Sequence, residues 1–209
     1  MTFNKMRFIA TATAVIVCVG AADRMAAQRP SAGAKNVFYT ASGTFASPAV
    51  SGFDLLELAG QQFSLTLVAL SSLTPSTHGA TWAKYTGLTM SGTACSAQLP
   101  GTPLPIQSQN AALELATGNP AYDVLSLFCP VYVGLIGEEI YLTSTIQLPK
   151  GTLSSALIRP FTAPVALTST TDITYSNHIN STVLAVQSGT VGTCLAGDTG
   201  CPPPQPLCQ

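Results

Sequence analysis

Residues Glu139–Leu148 read EIYLTSTIQL, and the alternation within that run decides the fold. Ile140, Leu142, Ser144, Ile146 and Leu148 fall on one side of an extended chain, with Tyr141, Thr143, Thr145 and Gln147 on the other. Successive side chains of a strand point to opposite faces. One side of this segment is therefore dry and the other wet, as in a half-buried antiparallel strand. Gln61–Leu70 (QQFSLTLVAL) repeats the pattern, setting Phe63, Leu65, Leu67 and Ala69 against Ser64 and Thr66. Asn36–Ala46, Trp82–Cys95, Thr170–Tyr175 and Ser181–Val191 read the same way with less contrast. Ala121–Cys129 (AYDVLSLFC) is more continuously apolar, as expected of a strand covered on both faces. Leu104–Gln109 and Val165–Thr168 complete the set as weaker strands.

Between these runs lie Gly60, Pro75, Pro100-Gly101, Gly118-Asn119-Pro120, Pro149-Lys150-Gly151 and Pro160. Each breaks ladder pairing or supplies a special backbone angle. Helix signal is confined to Ala111–Ala116 (AALELA) and Ser154–Ile158, a turn or two apiece. The pattern predicts one all-β domain over residues 36–192, a two-sheet antiparallel β-sandwich, leaving jelly-roll and immunoglobulin-like topologies open. Ser42-Gly43-Thr44 recurs as Ser91-Gly92-Thr93 and as Ser188-Gly189-Thr190. Glycine inside a strand marks a bulge or a close backbone approach. The spacing of the copies is too irregular for a solenoid or propeller.

The first residues concern compartment. Lys5 and Arg7 precede Phe8–Ala22, an uncharged stretch of 15 residues, and small residues follow. Basic start, apolar run and small-residue exit make residues 1–28 a signal peptide. The run is shorter than the ~20 residues of a membrane span, so none is expected after cleavage. Residues 29–209 carry five cations against eight acids, a net charge of −3 with no run of either sign. Nucleic-acid binding draws on clustered Lys and Arg, so that partner is excluded. Five cysteines follow the leader. Cys194, Cys201 and Cys208 share a Pro-rich tail over residues 193–209, and Cys194 is expected to pair with Cys201 or Cys208. Cys95 and Cys129 are a second candidate pair, provided that their strands are neighbours. Structural zinc wants closer cysteine spacings than these, so neither metal nor cofactor is expected.

Candidate chemistry is sparse. Asp198-Thr199-Gly200 spells an aspartic-protease triplet but has no second copy to share a proton. It reads as a turn in the tail. Glu138 and Glu139 are adjacent on a strand, so they face opposite ways and cannot form a glycosidase pair. Asp54, Glu57, Glu114 and His78 are the residues left for a hydrolase, and His178 lies in another turn. No nucleophile elbow accompanies them. Asn180-Ser181-Thr182 matches a glycosylation acceptor. Among the aromatics, Trp82, Tyr85 and Tyr141 are the candidates for a sugar-stacking surface. Tyr141 shares its face with Thr143, Thr145 and Gln147.

The runs Tyr39-Thr-Ala-Ser-Gly-Thr-Phe45 and Leu58-Ala-Gly-Gln-Gln-Phe-Ser-Leu65, with the ending Ser181-Thr-Val-Leu-Ala-Val-Gln-Ser-Gly-Thr190, resemble exported bacterial β-sandwich proteins of the PEP-CTERM type. That resemblance implies a secreted or surface-associated sandwich without assigned catalysis, often linked to an extracellular matrix. This chain ends Gly-Cys-Pro-Pro-Pro-Gln-Pro-Leu-Cys-Gln, without the sorting tail of that group. The expectation is a non-enzymatic module with a structural, adhesion or matrix role, secreted, surface-bound or periplasmic. Its partners would be extracellular polysaccharide or a surface protein. The alternative is a carbohydrate-binding module using Trp82, Tyr85 and Tyr141. An exported hydrolase using Glu57, Glu114 or His78 is the third reading.

Overall fold

A computed structural model describes residues 33–54, 56–88, 94–99, 106–108, 110–133, 138–161, 163–167, 171–176, 181–199 and 201. The expected signal peptide, His178, Asn180 and Cys208 lie outside the described residues. Within them the chain forms β1 (Asn36–Phe45), β2 (Gln62–Leu70), β3 (Thr77–His78), β4 (Trp82–Thr86), β5 (Cys95–Gln98) and β6 (Ile106–Ser108). There follow β7 (Ala112–Ala116), β8 (Tyr122–Val133), β9 (Glu138–Pro149), β10 (Val165–Leu167), β11 (Asp172–Ser176) and β12 (Ser181–Leu195). The alternation in β9 places its side chains as expected. Leu142, Ser144, Ile146 and Leu148 are buried, whereas Thr145 and Gln147 are exposed.

Three local expectations are corrected. AALELA forms β7 rather than helix: Leu113 and Leu115 are both fully buried at strand spacing. Two leucines anchored in the core outweigh the helix propensity of Ala and Glu. Residues 154–158 form bends across the end of the core. The apolar run in β8 is not covered on both faces. Leu125, Leu127 and Cys129 are buried, while Val124, Ser126 and Phe128 are only half-buried.

The expectation of two separate sheets is also corrected. The strands pair antiparallel in a single path, β3-β4-β7-β8-β9-β11-β12-β1-β2-β5-β6, with β10 alongside β12. β12 is the hinge strand. Its first residues, Ser181–Ala185, pair with β11, and Val186–Leu195 pair with β1. The register shifts between Thr44 and Phe45, because Phe45 faces Val186 while Thr44 faces Ser188. Gln187 is the extra residue of a β-bulge, which bends a strand and resets its side-chain parity. Thr182, Leu184 and Val186 are buried before the bulge and Val191 after it. Both halves of one strand thereby turn toward the same core.

The sheet folds over on itself. β5 and β8 stand six steps apart in the strand order, which in a flat sheet would separate them by about 29 Å. Their Cys95 and Cys129 are nevertheless disulfide-bonded, with Cα atoms 6.0 Å apart. Leu65 and Leu67 of β2, Leu113 and Leu115 of β7, and Leu125 and Leu127 of β8 belong to a single buried cluster. The segment after β9 closes one end of that core with Leu153, Ile158 and Phe161. Tyr39 and Tyr85 fasten it, donating their hydroxyls to the carbonyls of Arg159 (3.2 Å) and Ala156 (2.7 Å).

Candidate functional site

The half of the sheet from β3 to β11 leaves its outer face to solvent, and the ladder registers assign the residues on it. Thr77 faces Lys84, Lys84 faces Glu114, Glu114 faces Ser126, Ser126 faces Thr145, and Thr145 faces Asp172. This polar row crosses six strands. One step along, Trp82, Ala116, Val124 and Gln147 form a parallel row. A shallow groove of about 520 Å³ opens where the two rows reach the β3 edge. Trp82, Lys84, Glu114, Ala116, Val124 and Tyr122 line it, with Thr77, Thr81, Gly118 and Asn119 at its end. That volume lies within the ~300–1,000 Å³ of small-ligand sites.

The three aromatic candidates do not meet. Trp82 is 39% exposed on the wet side of β4. Tyr85 leaves the set: odd spacing from Trp82 turns it inward, where it is 0% exposed and bonded to Ala156. Burial raises its pKa above the ordinary tyrosine value. Tyr141 shares the outer face with Trp82 but stacks on Phe128 of β8, ring centroids 5.8 Å apart. Three strand steps and six residues separate it from Trp82, about 25 Å across the sheet. In its place the groove gathers Tyr122, Asn119, Lys84 and Glu114. Tyr122 was visible among the aromatics of the chain. Only the pairing of β4 with β7, which β5 and β6 separate in sequence, brings it near Trp82.

The acids have other work. Asp54 accepts bonds from the Leu58 N–H, the Ala59 N–H and the Tyr175 hydroxyl. Burial alone would raise its pKa, but the Ala59, Tyr175 and Leu58 donors outweigh it and hold the carboxyl below the usual range. A carboxylate held ionised in this way makes a poor general acid. Glu57 is an exposed turn residue in left-handed backbone, φ 52°. Asp123 is fully buried and accepts from Lys150 Nζ (3.0 Å) and from the Gly151 and Leu153 N–H groups (2.9 Å each). It ties the segment after β9 to β8. Glu114 and Asp172 share the polar row but stand three strands apart, about 14 Å, beyond the spacing of paired glycosidase carboxylates. His78 pairs with Ala83, which puts it on the reverse face from Lys84 and Glu114. Among the described residues no cluster of three His, Cys, Asp or Glu has metal-binding geometry.

Cysteine chemistry is settled for four residues. Cys95 bonds Cys129, and Cys194 bonds Cys201. Neighbouring strands, the condition set by sequence reasoning for the first pair, are not how it forms. β5 and β8 come from opposed parts of the folded sheet. Asp198 is a turn residue inside the Cys194–Cys201 ring, accepting from the Leu195 N–H. Two disulfides fit an oxidising, extracytoplasmic compartment. No protein-family model, curated protein or solved structure matches the chain.

Proposed function

We propose that the chain is an exported, non-catalytic β-module that acts in adhesion to, or in structuring of, an extracellular matrix. The observation that supports it best is the outer face of the sheet. Its row from Thr77 to Asp172 and its neighbours Thr143 and Gln147 offer four hydroxyls, an amide, and one cation set against two carboxylates across six strands. Such a face exchanges hydrogen bonds with hydrated polymers and carries little net charge to desolvate. The likeness to exported sandwich proteins of the PEP-CTERM type and the two disulfides agree with that setting. A panel of glycoside, ester and peptide substrates, offered to the folded chain, is expected to show no turnover. Turnover of any of them that Glu114→Gln abolishes would contradict the proposal and favour the hydrolase.

A further inference from the structure

We infer that the groove beside Trp82 is a binding site for a neutral pyranose unit of an extracellular polysaccharide. The inference rests on the adhesion reading and names its contact. An indole is among the largest apolar groups a chain can bury, yet this one is kept part-exposed on the wet side of β4.

The surrounding backbone is shaped to hold it there. Gly79 lies so close under the ring that a Cβ on it would stand 2.3 Å from the indole Nε1. A Cβ on Gly118 would stand 2.5 Å from Thr81 Oγ1. The N–H and hydroxyl of Thr117 both donate to the Thr81 carbonyl, which fastens the β3–β4 turn to the segment leading into β8. The backbone that carries the ring is thereby held before any ligand arrives, and pre-organisation of this kind saves ordering entropy on binding.

The rest of the groove matches the two-sided chemistry of a sugar. Ala116 and Val124 give a small apolar floor, and Tyr122 and Trp82 both line the groove, their backbones two strands and about 12 Å apart by ladder spacing. The C–H face of a pyranose stacks on the indole between these walls. Its hydroxyls meet the Lys84 ammonium as donor and the Glu114 carboxylate as acceptor. Asn119 Oδ1 is taken by the Ala121 N–H at 2.8 Å, which leaves its amide NH2 to donate. Lys84 and Glu114 stand directly opposite one another, so their charges offset locally and the site favours an uncharged sugar.

Trp82 is the sole tryptophan of the chain, so its fluorescence reports on this groove alone. The test titrates the full chain with hexasaccharides of β-linked glucose, xylose and mannose, and with a proline-rich peptide. Reducing ends are measured in the same samples. A saturable fluorescence change with at least one sugar is expected. Glu114→Gln should weaken it roughly tenfold, and Tyr141→Ala should leave it within about twofold. In affinity gels Trp82→Ala, with its melting temperature retained, should lose retardation by the same sugar. No response to any sugar from the folded protein, a response to the peptide alone, or retained retardation of Trp82→Ala would overturn the inference and leave the adhesion reading standing. Release of reducing ends, lost in Glu114→Gln, would instead overturn that reading.

Discussion

Asp54 shows how a chain with few ions uses those it keeps. Its carboxylate gathers two backbone N–H groups and the Tyr175 hydroxyl, and so fixes the connection between β1 and β2. Because its folded pKa is lowered, its stabilising contribution is complete above the unfolded value near 3.9. That contribution disappears as pH falls through the lower folded value. Thermal unfolding from about pH 6 to about pH 2 should therefore show an acid limb that Asp54→Asn makes shallower. An acid limb unchanged by that substitution would contradict the assignment. At the alkaline end the buried tyrosines act in the opposite sense. Burial raises the pKa of Tyr39, Tyr85 and Tyr175, so their contribution is whole below about pH 10 and is lost only above it.

At the scale of elements, β1 and β12 carry the turn of the sheet, and the repeated Ser-Gly-Thr explains how. Ser42, Gly43 and Thr44 pair antiparallel with Thr190, Gly189 and Ser188, so that the two glycines face each other. A Cβ on Gly43 would meet the Ser188 carbonyl oxygen at 2.2 Å, and one on Gly189 would meet the Ser42 oxygen at 2.3 Å. Gly43→Ala should cost at least about 1–3 kcal/mol, the usual range for overpacking. Gly192→Ala, whose Cβ would meet only Pro164 at 3.8 Å, should stay within ~0.5 kcal/mol. Equal denaturation midpoints for the two variants would refute the close approach. The echo was legible in the sequence, though not whether its glycines mark a bulge or a close approach, and so were most strands, because Leu65, Leu67, Leu142 and Ile146 advertise their face by period. What escaped was partnership: nothing local says that the first copy lies against the last. AALELA escaped for the same reason, since its strand character comes from the core that receives Leu113 and Leu115 and not from its own composition.

At the scale of the molecule, one open sheet passes through β12 and folds over on itself. Alternation correctly foretold a dry side and a wet side, and from these alone two sheets are the natural inference. A bulge at Gln187 lets a single 15-residue strand serve both halves, and no composition signal distinguishes that from a break. The groove was legible at Trp82 alone, since Glu114, Val124 and Tyr122 come from β7 and β8, which β5 and β6 separate from β4 in sequence. The fold-over is locked by the bridge between β5 and β8, which spans 34 residues and, by loop entropy, contributes about 4 kcal/mol. The direct measurement is peptide mapping of the unreduced protein by mass spectrometry. The folded-over sheet predicts one linked pair joining Cys95 to Cys129, beside the tail pair joining Cys194 to Cys201. Cys95 and Cys129 recovered as free thiols, or either of them bonded to a tail cysteine, would contradict it.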